Sequence, residues 1–230
     1  MIEWGWIADH VGAIAGRLGQ HIELTVIALA VGYAISLALA IVSVWVRPVR
    51  PLIMGVAGVV FTIPSLALFS ALVPFIGLSL LTVEVPLVLY TLVIYVRNIV
   101  AGLNSVPPDV IEAADGMGYT RSGRLIRVEL PLAVPLMIAG LRLASVSTIG
   151  LVTISGILGD SFGGLGFFIF ERPTFATEIL VGAVGSIALA ISVDILLGRL
   201  ERRLTPWSRL DVGLEVTTSG RTAAQSLPVI

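Results

Sequence analysis

Side chains that could catalyse a reaction or bind a metal are scarce in this sequence of 230 residues. It has no cysteine and only two histidines, His10 and His21, which are too few and too widely spaced to suggest a metal site. The glycines at 163, 164 and 166 are not followed by the Lys-Ser or Lys-Thr pair of a phosphate-binding loop. We therefore expect that the chain is not an enzyme and binds no cofactor, so any energy source must come from another polypeptide.

The candidate functional residues lie instead in one polar segment, residues 103–131. Pro108 suits the first turn of a helix, and Asp109 favours the positive end of the helix dipole. The glycines at 116 and 118 allow the helix to stop. The pattern predicts a short helix that begins at Pro108 and ends near Gly118.

A second short helix is predicted from Thr120, a suitable N-cap, to the residues just before Pro131. Two such helices would form a compact protrusion that a soluble partner could bind. The small side chains of Ala113 and Ala114 would permit close approach, and Glu112 offers a charge for pairing. A connector that only sets helix propensity and topology is the alternative interpretation.

The remaining sequence is too apolar for a water-soluble domain. Hydrophobic residues make up 57% of the chain and charged residues 13%, against roughly 25% charged in soluble domains, and the mean hydropathy is +1.02. The apolar residues form long blocks, and a bilayer-spanning helix needs about 20 of them. We predict an all-α polytopic membrane protein with five transmembrane helices. The predicted spans are about 22–46, 52–75, 85–102, 132–153 and 177–198.

The distribution of arginine predicts the orientation, because short cytoplasmic loops are enriched in basic residues. With five spans and an external N-terminus, ten arginines fall on the inner side and only Arg17 and Arg172 on the outer side, while Arg97 and Arg142 lie within spans. The inner ten are Arg47, Arg50, Arg121, Arg124, Arg127, Arg199, Arg202, Arg203, Arg209 and Arg221. We expect a plasma (inner) membrane protein with its N-terminus outside, its C-terminus in the cytoplasm, and residues 103–131 in a cytoplasmic loop.

The spans define one domain with two flanking segments. Residues 1–20, with two tryptophans that favour the headgroup layer, are predicted to be an interfacial segment. Residues 21–205 form the transmembrane domain, and residues 206–230 a polar cytoplasmic tail. The glycine- and phenylalanine-rich stretch 156–170 is expected to form an extramembrane or re-entrant cap.

The loop carries a spaced pattern of seven residues. They are Glu112, Ala113, Ala114, Gly118, Val128, Leu130 and Pro131. The pattern resembles the cytoplasmic signature of permease subunits of binding-protein-dependent ABC importers: Glu-Ala-Ala, three residues, Gly, nine residues, an aliphatic residue, one residue, Leu-Pro. Val128 replaces the more usual isoleucine. In that family the element is the coupling helix, which inserts into a groove of the ATPase subunit, so the resemblance implies that these seven residues couple ATP hydrolysis to transport.

A narrower resemblance covers roughly residues 20 to 205. Runs at 62–69, 95–98, 101–103, 139–142, 163–166 and 200–204 are similar to those of osmoprotectant permeases. These permeases carry glycine betaine, choline, carnitine and related quaternary ammonium compounds. The alternatives that remain open are an amino acid such as methionine or another small solute as cargo, or an ion-gradient-driven carrier that needs no ATPase.

The resemblance also implies the fold and the partners. The fold would be that of type I ABC importer permeases. Two permease subunits, either two copies of this chain or this chain with a paralogue, would each dock one cytoplasmic ATPase that uses ATP and Mg. An extracytoplasmic solute-binding protein would deliver the solute, and membrane lipid would surround the spans. A net charge of −1 gives no basic surface for nucleic acid.

Five residues within the spans are candidates for the translocation pathway. They are Pro64, Ser65, Arg142, Ser145 and Thr148. Pro64 and Ser65 could break the second span and expose backbone to a conduit, or they could form a simple kink. Small polar residues such as Ser145 and Thr148 line a path or let helices pack closely.

The arginines within spans have two interpretations each. An arginine at the centre of a span costs about 2.5 to 3.5 kcal/mol, so it faces protein or water rather than lipid. Arg97 is near a predicted span end and can snorkel or serve the pathway. Arg142 lies deeper, where it either serves the pathway or forms an ion pair, with Asp194 or Glu129 as its partner.

Overall fold

Helices make up most of the part of the chain that the structure, a computed structural model, describes, which is residues 2–206. They are α1 (Trp4–Asp9), α2 (Val11–Trp45), α3 (Arg50–Thr62), α4 (Ser65–Ile76), α5 (Leu80–Asn104), α6 (Pro108–Gly116), α7 (Arg121–Arg124), α8 (Leu130–Ser155), α9 (Phe167–Phe170) and α10 (Ala176–Leu204). Short 3₁₀ turns and one π-helical stretch connect them, and residues 2–206 contain no strand. Apart from Pro206, the predicted tail lies outside the described residues.

The long helices agree with an all-α membrane fold. Helices α2, α5, α8 and α10 are each long and apolar enough to cross a bilayer. Helices α3 and α4 pass the same test together but meet at an angle of 91°, so they form a fifth, broken span or a re-entrant loop. The apolar stretch predicted as the second span, 52–75, thus contains two helices, because the chain turns between Thr62 and Ser65.

The first long helix begins earlier than the sequence suggested. We expected a span from about 22 and a separate segment at 1–20, but α2 runs without interruption from Val11. Side chains in its first three turns contact the segment at 156–170, because Arg17 pairs with Asp160 and the Gln20 amide donates to the Ser161 carbonyl at 2.6 Å. These contacts explain why the helix continues through a stretch that is rich in glycine.

The segment at 156–170 is a folded cap on the bundle. It contains 3₁₀ turns at Gly156–Leu158 and Gly164–Gly166 and ends in α9. The Leu165 N–H donates to Nδ1 of His21 at 3.3 Å, so Nε2 of His21 carries the proton that is donated to the Ile149 carbonyl at 3.1 Å. His21 is fully buried, and its role is to join α2, α8 and the cap.

Helix α5 is the centre of the bundle and packs between α2 and α8. The most apolar window of α5 is 61% buried inside the chain, compared with 11% for that of α10. Small residues let the helices approach closely, as is usual where lipid replaces water and burial no longer drives association. A Cβ atom on Gly140 of α8 would lie 2.5 Å from Cβ of Asn98 on α5, so this contact requires glycine.

We predict that Gly140→Leu disrupts the packing of α8 on α5. The leucine cannot fit without separating the two helices, and overpacking of this kind costs about 1–3 kcal/mol or more. The thermal midpoint of the purified protein in detergent should fall by several degrees. The matched control is Gly150→Leu on the same helix, because a Cβ atom there meets nothing within 4 Å; equal losses from both variants would contradict this packing.

Candidate functional site

The short helix predicted at the start of the polar segment is confirmed as α6. Pro108 occupies its first turn, Asp109 lies in that turn as the predicted acidic residue, and Met117 follows as its C-cap. Fixed φ at proline and a negative charge near the N-terminal dipole both favour a helix that begins here.

The end of α6 explains the spacing of Gly118 from Glu112. The Tyr119 N–H donates to the Ala114 carbonyl at 3.2 Å, and the Gly118 N–H donates to the Asp115 carbonyl at 3.0 Å. This pair of bonds is a Schellman motif, which places its central residue in the left-handed region. Gly118 has φ of +82°, a conformation that side chains disfavour.

One face of α6 is open and the other rests on the chain. Glu112 and Ala113 are exposed, whereas Ala114 is 1% exposed on a helix that contacts the turns after it. Ala114 therefore allows close packing within this chain, not the approach of a partner that we expected of both alanines. Met117, which follows α6, and Ile126, in the turns after it, are 70% and 63% exposed, so this segment also exposes two apolar side chains that the sequence analysis did not select.

Arg124 ties α6 to the helix that follows it. Its Nε donates to Oε1 of Glu129 at 2.7 Å, and its Nη1 donates to Oδ1 of Asp115 on α6 at 2.6 Å. The Glu129 side chain is only 8% exposed and that of Arg124 is 19% exposed. A guanidinium that bridges two carboxylates fixes orientation as well as charge. The sequence shows Asp115 and Glu129 on either side of Arg124, but nothing in it indicated which of the two acids Arg124 would pair with.

The second predicted short helix does not end before Pro131. The Thr120 side chain accepts from the Gly123 N–H at 3.2 Å, which confirms the N-cap. The helix then continues through a π-helical stretch, Leu125–Glu129, directly into α8. Proline lacks an N–H and leaves a carbonyl one turn earlier without its usual donor, and a wider turn accommodates this loss.

The last three residues of the spaced pattern lie at this junction. Val128 and Leu130 are half-buried and Pro131 is exposed. The junction is continuous, so Arg124 connects α6 to the residues that lead directly into α8.

The predicted break at Pro64 is complete rather than a kink. Helix α3 ends at Thr62, Ile63 is extended with ψ of 127°, and α4 begins at Ser65. Proline disfavours the helical conformation at the residue before it and so favours this extended one. The hydroxyl group of Tyr90 on α5 donates to the Ile63 carbonyl, so α5 holds the break in place.

A cavity of about 350 Å³ lies beside this break. Pro64 and Ser65 line it together with Tyr90 on α5 and Ser147 on α8. Irregular backbone at membrane depth is tolerated where it lines a cavity. The pathway role of Pro64 and Ser65 stays a prediction. Ser147 becomes a further candidate because it lines the same cavity.

Two other pathway candidates lie inside the bundle. Ser145 is 1% exposed, and its hydroxyl donates to the Leu141 carbonyl at 2.7 Å. Thr148 is fully buried, and its hydroxyl has no partner among residues 2–206. Neither lines the cavity at the break.

Arg142 forms an ion-pair cluster with α10. Its Nε and Nη2 donate to Asp194 at 2.9 and 3.0 Å, and its Nη1 donates to Glu201 at 2.9 Å. The expected partner Asp194 is confirmed, and Glu129 is wrong as a partner of Arg142 because it pairs with Arg124.

Arg97 is exposed and has no ion pair within the described part of the chain; its guanidinium lies near Gly58 of α3.

Glu84 is a buried acid that the sequence analysis did not select. It is 5% exposed, and neither carboxylate oxygen has a partner among residues 2–206. Its position one residue before the predicted span 85–102 is the only feature of the sequence that could have indicated it. Ionisable residues inside a membrane are functional candidates.

Replacing Arg142 with glutamine is predicted to weaken the attachment of α10 to α8. The change leaves two carboxylates close together without their counter-charge, so the amount of folded protein should fall several-fold. Fluorescence-detected size-exclusion chromatography measures this loss. Arg199→Gln is the matched control because Arg199 lines a cleft together with Arg142 and Asp194 but has no ion pair in residues 2–206. Arg142→Gln with Asp194→Asn should recover part of the loss.

The long apolar helices and the exposed face of α6 together indicate a polytopic membrane subunit. Comparison with known sequences gives the family. Residues 30–206 match the family described as the binding-protein-dependent transport system inner membrane component. The chain belongs to this family and is an ABC importer permease.

Curated relatives agree with this assignment. The chain is 35% identical to the carnitine transport permease protein OpuCB of Listeria monocytogenes over 81% of this chain and 86% of the relative. It is 32% identical to the choline transport system permease protein OpuBB of Bacillus subtilis, over 85% and 90%. It is 33% identical to the osmoprotectant import permease protein OsmW of Salmonella typhimurium, over 87% and 96%.

Solved structures share the fold. A chain of the MetNI methionine ABC transporter in an inward-facing conformation superposes with a TM-score of 0.76 at 20% identity, covering 84% of this chain and 96% of that one. An amino acid ABC transporter solved with histidines gives a TM-score of 0.75 at 17% identity, over 88% and 99%. These likenesses confirm the type I importer permease fold.

Proposed function

We propose that this chain is the translocation subunit of an ATP-driven importer for osmoprotectants such as glycine betaine, choline or carnitine. The observation that carries the proposal is the open face of α6, formed by Glu112 and Ala113 on a helix whose end is fixed by Gly118. The solutes in the names of the three relatives support the solute class. An amino acid cargo is the second candidate, favoured by the two structural neighbours.

The proposed complex contains two permease subunits, as two copies or as this chain with a paralogue. Each docks one cytoplasmic ATPase, which binds ATP and Mg, and an external solute-binding protein delivers the solute. The N-terminus lies outside and the C-terminus inside, which puts α6 on the ATPase side. ATPase closure displaces α6, Arg124 carries the displacement to Glu129, and α8 moves with it.

The solute would pass the broken span. The cavity lined by Pro64, Ser65 and Ser147 lies between α3, α5 and α8, where a shift of α8 changes its shape. Tyr90 and Phe61 are 5.8 Å apart edge to face beside it, and aromatic faces attract quaternary ammonium groups.

Uptake into proteoliposomes tests the proposal. The complete complex is reconstituted with the solute-binding protein outside and ATP inside, and labelled glycine betaine, choline, carnitine, methionine and histidine are compared. We expect ATP-dependent uptake of at least one of the three quaternary ammonium compounds. Exclusive uptake of an amino acid would change the proposed solute but retain the assignment as an ATP-driven importer. Uptake without the ATPase would favour an ion-gradient carrier and refute the proposal.

A further inference from the structure

A polar cavity of about 410 Å³ separates α6 from the membrane helices. Pro108 and Ile111 line it from α6, and Trp45 and Asn104 from the ends of α2 and α5. Glu112 and Ala113, which form the open face of α6, are not among the residues that line it. A partner docked on that face would leave the cavity free for another ligand.

The cavity carries an excess of positive charge. Arg50, Arg121 and Arg124 line it with Glu129, and Asp115 pairs with Arg124 from outside the lining. Three guanidinium groups against two carboxylates leave one positive charge, which matches the single negative charge of a phosphodiester.

Two of the arginines have donors to spare. Arg124 is occupied by its two carboxylates. Arg121 gives one N–H to the Trp45 carbonyl at 3.2 Å, and its guanidinium carbon lies 5.4 Å from the centre of the Trp45 ring. The Arg50 side chain has no ion pair or hydrogen bond with the rest of residues 2–206. Arginine presents its donors in a planar fork that fits phosphate.

An apolar groove of about 220 Å³ begins close to this cavity. It runs along α3 from Leu52 to Val60, with Leu39 of α2 and Val96 of α5 as further walls. Its first residue is two positions after Arg50 on the same helix. The eight residue-to-residue steps from Leu52 to Val60 give about 12 Å of helix length, most of the roughly 15 Å depth of one bilayer leaflet.

We propose that the cavity and the groove together bind one anionic phospholipid. The phosphate lies between Arg50 and Arg121, Trp45 contacts the headgroup region as tryptophan does at membrane interfaces, and one acyl chain occupies the groove on α3. The apolar groove selects a lipid rather than a free phosphate. The bound lipid fills the space between α6 and the bundle, so it supports the helix that a soluble partner would press.

Native mass spectrometry of the full-length, delipidated permease tests the proposal independently of transport. The probes are phosphatidylglycerol, phosphatidylcholine and glycerol 3-phosphate. We expect one tightly held phosphatidylglycerol, at least about tenfold preferred over phosphatidylcholine, because each arginine near an anionic lipid contributes about fivefold. Glycerol 3-phosphate, which lacks chains, should bind far more weakly.

Two variants separate the headgroup from the chain. Arg50→Gln with Arg121→Gln should lower affinity for phosphatidylglycerol about tenfold or more and leave phosphatidylcholine unchanged. Ala57→Phe fills the groove and should lower affinity for both lipids. The matched control Arg203→Gln, exposed and outside both cavities, should change neither.

Several results would contradict the proposed lipid site. The comparison of lipids on the wild-type chain does not depend on any variant being able to fold. Equal retention of both lipids by the wild-type chain would show that the arginines do not select an anionic headgroup. Glycerol 3-phosphate that binds as tightly as phosphatidylglycerol, or an Ala57→Phe variant with unchanged affinity, reduces the site to a simple anion pocket. An Arg203→Gln variant as weak as the double variant shows only a general charge effect.

Discussion

Replacing Gly118 with valine is expected to reduce solute uptake about a hundredfold while the chain still inserts into the membrane. The φ of +82° at this position is a genuine outlier for a β-branched residue. Valine therefore breaks the Schellman motif, and the last turn of α6 must rearrange. The open face of Glu112 and Ala113 then points away from its partner, and ATP hydrolysis is no longer linked to uptake.

The same substitution two residues earlier is the matched control. Gly116 is helical, and a Cβ atom there meets nothing within 4 Å, so Gly116→Val should retain most uptake. Gly118→Asn should be intermediate because asparagine tolerates the left-handed region. Uptake by Gly118→Val at the wild-type rate would show that the end of α6 is irrelevant to coupling.

Arg124→Met is expected to reduce both uptake and stability. Methionine keeps the length of the side chain but removes the charge, which leaves the buried carboxylate of Glu129 and that of Asp115 without a counter-charge. Removing one partner of a buried pair costs about 3 to 5 kcal/mol, and the partial exposure of Arg124 places this case at or below the lower limit. The thermal midpoint and the uptake rate of the reconstituted complex measure the two effects.

A triple variant separates stability from coupling. Arg124→Met with Asp115→Asn and Glu129→Gln removes all three charges, so the stability should largely return. Uptake should stay low because the tether between α6 and α8 is still absent. Arg127→Met, an exposed arginine on the same segment, is the control; full uptake by the triple variant would show that Arg124 stabilises the segment without transmitting force.

The sequence predicted the features that depend on local chemistry. Long apolar blocks marked the spans, and Pro108, Asp109, Thr120 and Gly118 marked helix ends through fixed φ, dipole charge, capping and a left-handed turn. These signals act within one turn of the chain, so they can be read without the fold.

The features that depend on tertiary contacts could not be read in the same way. The break at Pro64 is complete because Tyr90 on another helix bonds the freed carbonyl of Ile63. Arg142 was assigned two possible acids, and only packing decides that it meets Asp194 while Glu129 meets Arg124. The inward position of Ala114 likewise depends on where the π-helical stretch places the following turns.

Cross-linking from α6 tests the central claim most directly. The chain contains no cysteine, so Ala113→Cys introduces a unique thiol on the exposed face of α6. In membranes that contain the complete complex, we predict a cross-link from this thiol to the ATPase subunit and labelling by thiol reagents only from the cytoplasmic side. Labelling of intact cells by a membrane-impermeant reagent, with no ATPase adduct, would contradict the account.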